Sequence, residues 1–329
     1  MKVIRLLLLF LHTGILLLLA GMLLNAYIPP KVFPWLNLLS LGFPVLMAGY
    51  LLLTLFWIIS WKKRAFVFLL LGLLFFNATL RWINYMPVQR EPSDFTVLSF
   101  NTRGEKETVV NELKSYLLSQ QADVILLQEN RGNKIELKGY NRGKAGSLTT
   151  VFTRHEIEDQ QRIGSDFSDT GSYGTWTDIR IKGKTYRFIN VYLHPFKFEK
   201  SMVTMNGNNQ EDEEKIKSII KKLMPTFKIH QEEVTIIRKA IEESPHPVIL
   251  GGDFNSVPNS YEYYHLGKGL KDAFTESGKG SATSFHDYKF PIRIDYIFAS
   301  PSIKPLRYTV DRSVRISDHF PVTAGFKTE

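Results

Sequence analysis

The sequence predicts a layered α/β domain carried behind three membrane-spanning helices, and three observations lead to that class. The first quarter of the chain is strongly apolar in three runs, whereas the remainder is charged and of ordinary soluble composition. In that remainder, short β-branched runs alternate with amphipathic stretches, the pattern of an α/β domain. Its length of roughly 230 residues suits one such domain with internal sheets.

The apolar runs come first. From Leu6 to Leu24 the chain is almost entirely Leu, Ile, Phe, Gly and Ala, which at about 1.5 Å per residue nearly covers a hydrocarbon core of about 30 Å. A secretory signal peptide would have a shorter apolar region and a small-residue cleavage site before polar sequence. Further apolar runs follow instead, at Leu36–Ser60 and from Ala65 to about Ile83. Trp35, Trp57, Trp61, Trp82 and Tyr85 fall near their ends, where amphipathic rings suit the headgroup region, and Pro29, Pro30 and Pro34 break the first connection. Residues 1–86 therefore read as an anchor with spans at about 6–24, 36–60 and 65–83. Lys2 and Arg5 precede the first span and Lys62, Lys63 and Arg64 follow the second. The positive-inside rule puts both groups in the cytoplasm, so three spans deliver the C-terminal domain to the outer side of the cytoplasmic (inner) membrane. Arg81 and Arg90, at and beyond the end of the third span, reduce that contrast. The spans carry almost no ionisable residue apart from His12 and the terminal Arg81, which offers no evident ion pathway and speaks against a transporter. His12 reads as a packed polar residue or an interfacial contact.

Composition excludes little else. The absence of cysteine rules out disulfides and thiol chemistry, and a formal charge of +9 suggests a polyanion such as nucleic acid or an anionic lipid surface, although part of that charge flanks the spans. Residues 87–94, with Pro87, Pro92 and Ser93, form a short polar linker, and the domain runs over 95–327. Strands are expected at Thr96–Phe100, Asp123–Leu127, Thr149–Thr153, Thr175–Ile181, Tyr186–Tyr192 and Val248–Leu250, with helices near Thr108–Gln120 and Glu232–Glu243. Pro245 and Pro247 end the second of these helices. The charged stretch from Glu199 to His230 reads as a surface insertion, helical or mobile.

Carboxylates and amides recur where these strands end, the places at which a scaffold presents side chains on rigid supports. Glu129 follows the apolar run Val124–Leu127 and Gln128, and a hard cation such as Mg²⁺ accepts that kind of oxygen. Gly251-Gly252-Asp253-Phe254-Asn255 follows Val248-Ile249-Leu250 and presents a carboxylate and an amide on the same face. Asp318-His319 sets a carboxylate beside the one side chain that titrates near neutrality unperturbed. Asp295 lies in an alternating segment, two positions from Arg293 on the same face. A structural salt bridge to Arg293 and a functional role are both open for it. Each feature taken singly has a bland explanation as a turn or a solvated loop residue.

Together they resemble a known family. Ser99-Phe100-Asn101, Leu127-Gln128-Glu129, Ile189-Asn190-Val191-Tyr192, Gly252-Asp253-Phe254-Asn255, Ile294-Asp295-Tyr296 and Ser317-Asp318-His319 match, in order and approximate spacing, the motifs of the endonuclease/exonuclease/phosphatase superfamily. The resemblance covers about residues 95–327 and leaves the anchor outside it. It implies a four-layered α/β sandwich of two packed mixed sheets flanked by helices, and a metal-dependent hydrolase of phosphoric esters. In the roles so implied, Glu129 binds Mg²⁺ or Mn²⁺ with Asn101 and Asp318 close by, and Asp253 orients or deprotonates the attacking water. Asn255 holds a phosphoryl oxygen, and His319 contacts the phosphate with its ring oriented by Asp295. Where many members carry a phosphate-contacting histidine this chain has Tyr192, as AP endonucleases do, and His194 is a second candidate on the same strand face. Arg103 stands where AP endonucleases carry an acidic residue, so no metal ligand is carried over to it.

The resemblance leaves the substrate open between nucleic acid and a phospholipid headgroup. Nuclease action would weaken steeply with salt, unlike cleavage of a neutral lipid. The bilayer is the partner the spans imply, and no protein partner is. A non-catalytic membrane protein binding phosphorylated ligands is the alternative, against which stands the joint presence of Glu129, Asp253, Asp318 and His319.

Overall fold

The structure is a computed structural model that describes residues 2–87, 89, 91–104, 109–130, 135–143, 148–164, 174–198, 200–204, 207, 209–287 and 291–328. Arg90, Thr108 and Glu199, named above, lie outside the described residues.

The N-terminal segment forms helices α1 (Lys2–Leu23), α2 (Trp35–Ile59), α3 (Arg64–Gly72) and α4 (Phe76–Leu80). Two helical segments, Lys2–Ala26 and Trp35–Ile59, are long and apolar enough to cross a membrane. Their outward faces carry Leu7, Phe10, Leu52 and Ile59, each more than 60% exposed, as a lipid-facing surface would. The third run differs from the expected full span at 65–83. It is a shorter helical segment, Arg64–Leu80, interrupted by a 3₁₀ turn at Leu73–Phe75, and the chain then turns into strand β1 (Ile83–Tyr85). Gly72, on which the Tyr50 ring packs, sits at the interruption and is a poor helix former. At ~1.5 Å per residue the segment reaches ~25 Å. Trp57 also departs from the expected headgroup position. It is fully buried, its indole N–H donating to Nδ1 of His12 at 3.1 Å, while the His12 ring stacks on Phe68 at 3.7 Å. His12 is thus a packed polar residue whose hydrogen bond is satisfied between helices.

The second part is built from β2 (Phe95–Asn101), α5 (Val110–Ser119), β3 (Val124–Gln128), β4 (Asn141–Arg142), β5 (Thr149–Thr153), β6 (Glu156–Arg162), β7 (Thr175–Ile181) and β8 (Lys184–Tyr192). There follow α6 (Lys200–Val203), α7 (Asn209–Glu242), β9 (Val248–Asp253), α8 (Tyr261–Leu266), β10 (Lys271–Asp272), α9 (Ala273–Ser277), β11 (Lys279–Ser281), β12 (Asp295–Ala299), β13 (Ile303–Val310) and β14 (Val322–Thr328). Among the described residues one six-stranded sheet has the order β13-β14-β2-β3-β5-β4 and another the order β10-β12-β9-β8-β7-β6. Each holds one parallel pair, β2 with β3 and β8 with β9, among antiparallel neighbours, so both are mixed.

The layering follows from strand alternation. Val97, Val124, Leu126, Phe188, Ile249 and Ile297 point into the core between the sheets. Their neighbours Leu98, Ile125 and Leu127 point the other way, onto Leu113 and Leu117 of α5. Ile189, Val191 and Leu250 likewise face Val234 and Ile237 of α7. Strands covered on both faces must be apolar at every position, which is why Val-Ile-Leu-Leu and Val-Ile-Leu appear as unbroken runs. Each such side chain contributes ~1.5–3 kcal/mol by leaving water. Two sheets flanked by helices are therefore the observed architecture.

The stretch 199–230 is not a free insertion. Most of it joins the expected helix at Glu232–Glu243 in one helix, α7, which passes through Pro225 and buries Leu223, Thr226, Phe227, His230 and Glu233. The helical reading of this stretch stands from Asn209 on, and it is the apolar inner face that makes it part of the domain's packing rather than a surface insertion. Asp94, at the end of the expected linker, is tied to the last strand. The Asp94 carboxylate accepts from the Thr328 N–H at 2.9 Å, and β1 pairs with β11 before the expected linker begins.

Candidate active site

The two parallel pairs decide where the polar residues meet. In one sheet Asn101 is level with Gln128, and in the other Tyr192 is level with Asp253, while antiparallel β12 begins at Asp295 opposite Asp253. The C-terminal ends of β2, β3, β8 and β9 and the start of β12 thus share one edge of the sandwich. Gln128 and Asn190 tie the two sheets together there, Nε2 to Oδ1 at 2.7 Å, with both residues fully buried.

The side chains on that edge interlock. The Asn101 amide donates to Glu129 at 3.1 Å and to Asp253 at 2.9 Å. The Tyr192 hydroxyl donates to the same Glu129 oxygen at 2.8 Å. The Asn255 N–H donates to Asp253 at 2.7 Å, and its side-chain amide to the Leu193 carbonyl at 2.8 Å. His319 Nδ1 lies 2.8 Å from Asp295, and its Nε2 lies 3.7 Å from Asp253. Asp295 therefore partners His319, and the salt bridge to Arg293 does not form: Arg293 binds Asp272 through both terminal nitrogens, at 2.8 and 2.6 Å. Glu129, Asn255 and Arg103 all adopt left-handed backbone (φ 51°, 45° and 55°), a conformation that non-glycine residues hold only where their surroundings impose it.

Burial and charge set the protonation states. Burial pushes the Asp253 carboxyl up to about 7, with the Asp295 charge adding to the shift and His319 opposing it. Burial alone would lower His319, but the carboxylates of Asp295 and Asp253 outweigh it and raise the imidazole to about 10. The arrangement is a buried cationic imidazole clamped between two carboxylates. One Asp295 oxygen, Oδ1, is buried with no hydrogen-bond partner.

Asp253, Asp295 and His319 offer ligand atoms within 4.8 Å of one another, as a metal site would. His319 Nδ1 is engaged by Asp295, so the ring's Nε2, 3.7 Å from Asp253, is the nitrogen left to meet a cation or a phosphate. A set better suited to a hard cation is Glu129, Asp318 and the amide of Asn101, all oxygen donors. Glu129 and Asp318 line the same cavity, and the Arg103 guanidinium already rests 3.1 Å from Asp318, so positive charge is balanced at that spot. Arg103 also pairs with Asp287 at 3.3 Å.

His194 is not brought into this group. Its N–H donates to Glu233 at 3.0 Å, its carbonyl accepts from His230, and it does not line the cavity. Burial, Lys197 and His230 hold its pKa down. The strand ends at Tyr192, so alternation does not carry on to position 194. Sequence reading also missed the cavity's other wall. The cavity, of about 450 Å³, runs from Glu129, Asp253, Asn255 and His319 to Phe196, Phe198 and Leu223, and reaches Leu41 of α2. The aromatic alternation Phe196-Lys197-Phe198 was the available signal for part of it; for Leu41 there was none.

The comparisons agree with this geometry. The model of the Endonuclease/Exonuclease/phosphatase family matches residues 98–319, and a domain of unknown function matches residues 5–82. No curated protein matches the chain. Among solved structures, humanized D. rerio TDP2 is similar at 18% identity and a TM-score of 0.53, over 71% of this chain and 99% of that one. An endonuclease/exonuclease/phosphatase family protein from Bacteroides thetaiotaomicron is similar at 19% identity and 0.53, over 74% and 100%. The mannosyl-6-phosphatase Bt3783 of the same organism is similar at 19% identity and 0.50, over 71% and 99%. At these identities the structures speak for the fold alone, while the family match takes in all six sequence motifs and well over half of the chain. The chain belongs to the endonuclease/exonuclease/phosphatase family and is, like the members of that family, a hydrolase of phosphoric ester bonds.

Proposed function

We propose that the protein is a membrane-anchored phosphodiesterase that uses Mg²⁺ or Mn²⁺ and acts on a nucleic acid or a phospholipid headgroup at the outer face of the cytoplasmic membrane. The observation that carries the reading is the convergence of Glu129, Asp253, Asn255 and His319 on a single cavity, with Asn101 bonded to both Glu129 and Asp253 and His319 held by Asp295.

The reaction adds water to phosphorus, breaks one P–O ester bond and leaves the water's proton on the departing alcohol. Glu129, Asp318 and Asn101 hold the cation, which when bound supplies positive charge for the phosphoryl and leaving oxygens. Asp253 orients the water and takes its proton; a carboxyl raised to about 7 is matched to that task near neutrality. Asn255 lies beside Asp253 and donates to a phosphoryl oxygen. The His319 cation faces the same phosphate, and Asp295 fixes its tautomer and orientation. Tyr192 acts through Glu129, holding the carboxylate in place.

The anchor reading has the same standing. The two long apolar helices, together with the shorter third segment, carry the catalytic domain, which rests against the Leu24–Asn37 end of the pair and against Arg81. Lys62, Lys63 and Arg64 lie at the opposite end of α2, as the positive-inside rule requires for an external domain.

The test uses the full chain in detergent micelles with bis-p-nitrophenyl phosphate and Mg²⁺, Mn²⁺ or EDTA. Turnover that needs the cation and falls by ~10²–10⁴ in Glu129→Ala and His319→Ala is expected. Full activity in either variant would refute the assignment.

A further inference from the structure

We infer that the substrate is a phospholipid of the membrane in which the chain is anchored. Its phosphate lies at the Glu129 and His319 end of the cavity and its acyl-bearing part lies along an apolar wall that helix α2 completes. The inference rests on the hydrolase reading above and deepens it.

The cavity is divided by chemistry. Beyond the carboxylates and His319, its lining includes Leu41, Phe196, Phe198, Ile219, Leu223 and Phe285, with Arg103 and Lys197 as the further basic residues. A track for a nucleic acid strand needs a succession of cations along the phosphates and stacking faces for the bases. This wall offers aliphatic side chains from two helices, α2 and α7, instead. Phe196 and Phe198 stack on each other at 5.6 Å, and Phe196 packs edge-on against Phe227, so the aromatic faces are engaged in packing. A wall of this kind recognises hydrocarbon next to a phosphoester.

The source of the hydrocarbon follows from where the wall ends. Leu41 belongs to α2, yet packs on the cluster of Val257, Phe285 and Ile294 that backs the site. The contact is fixed by buried polar bonds between the anchor and the catalytic domain. Asn25 donates to the Asn259 carbonyl at 3.1 Å, Arg81 to the Asn259 side chain at 2.8 Å, and Asn37 to Glu262 at 3.0 and 2.9 Å. Leu41 lies six residues after Trp35, the first residue of α2, hence ~9 Å along the axis. The polar zone of a bilayer is about 5–7 Å deep on each side of its hydrocarbon. With Trp35 at the outer edge of that zone, Leu41 lies at the boundary between headgroups and acyl chains, where the chains of a lipid begin.

The full chain in detergent micelles, with Mg²⁺, is assayed on methyl p-nitrophenyl phosphate and octyl p-nitrophenyl phosphate, two diesters that differ only in alkyl length. The expected result is a kcat/KM ratio of octyl over methyl of at least about tenfold, falling toward one in Leu41→Gln and in Ile219→Gln. Ile219 lies on α7, outside the anchor, so the second variant decides the matter if the first does not fold. A wild-type ratio near one, or a ratio unchanged in both variants, overturns the lipid substrate while leaving the hydrolase intact. Salt-sensitive nicking of plasmid DNA together with a ratio near one overturns it in favour of nucleic acid. Failure to hydrolyse either ester overturns the hydrolase reading and the lipid substrate with it.

Discussion

The side-chain amide of Asn37, in the first turn of the second apolar helix, donates to both carboxylate oxygens of Glu262, at 3.0 and 2.9 Å. Its oxygen accepts the Tyr261 N–H at 2.7 Å, and Glu262 also meets His230 Nδ1 at 2.8 Å. All three polar side chains are fully buried, so the second long apolar helix is joined to the catalytic domain by a satisfied polar network. Asn37→Ala strands the buried Glu262 and is expected to cost ~1–3 kcal/mol, read as a lower Tm of the full chain in detergent.

The same network ties stability to pH. Burial would lower His230, but the hydrogen bond and charge of Glu262 raise it; burial would raise Glu262, but His230 lowers it. A histidine raised on folding stabilises in full below its ordinary 6.5, and that contribution is lost as pH climbs through the folded value. A glutamate lowered on folding stabilises in full above its ordinary 4.5, and that contribution is lost as pH falls through the folded value. The Tm difference between wild type and Glu262→Gln is expected to be greatest between those two ordinary values and to shrink on either side. A difference that stays constant across pH would mean that the pair is not ionised.

The Tyr192 hydroxyl and the Asn101 amide share one oxygen of Glu129, at 2.8 and 3.1 Å. Tyr192→Phe should raise the Mg²⁺ concentration for half-maximal activity by ~10–100-fold while leaving much of kcat at saturation, because it loosens the carboxylate without removing it. A metal titration of diester hydrolysis checks this. An unchanged titration curve with lowered kcat would instead place the hydroxyl on the substrate.

Two buried aspartates on neighbouring strands separate catalysis from stability. Asp295→Asn keeps the shape beside His319 but removes the charge that orients and ionises it, so a fall in kcat of ~10²–10⁴ is expected, with a smaller loss of Tm than in Asp272→Asn because the imidazole can shed its proton whereas a guanidinium cannot. Asp272→Asn leaves the Arg293 guanidinium buried without its counter-charge, which costs ~3–5 kcal/mol. Paired denaturation and kinetic measurements on the two variants should show these opposite profiles.

Gly252 has φ 137° and its α-carbon faces the backbone of β8, so an added Cβ would fall 2.0 Å from the Val191 oxygen. Gly252→Ala must part the parallel pair that sets Tyr192 level with Asp253, and a loss above ~4 kcal/mol is expected. At Gly251 the nearest atom is the end of the Leu126 side chain, at 2.8 Å, and Gly251→Ala should cost less, ~1–3 kcal/mol. Urea denaturation of both variants tests the order.

The sequence by itself determined the ends of the site-bearing strands and the residues placed there, because strands buried on both faces must be unbroken apolar runs and the first polar residue after each run marks an edge. Asn101, Glu129 and Asp253 were legible for that reason, as was the apolar character of the N-terminal segment, whereas Asp295 opens its strand and was marked only by its place among the ordered motifs. The polar edge strand β6, Glu-Ile-Glu-Asp-Gln-Gln-Arg, was not, since one face lies in solvent and no alternation marks it. Only the tertiary structure decided which side chains touch. Asp295 and Arg293 share a strand face in the linear pattern, yet Asp295 meets His319, 24 positions away, because sheet pairing and not chain proximity brings charges together. His194 falls past the last residue of its strand and turns from the site. The long helix α7 emerges from a charged stretch because burial of one face outweighs the polarity of the rest, and Leu41 becomes part of a catalytic cavity because buried polar bonds dock the apolar helix α2 onto Glu262, 225 positions further along the chain from Asn37. Local periodicity carries the faces and ends of elements; the partner across a packed interface depends on non-local contacts that no short stretch of sequence contains.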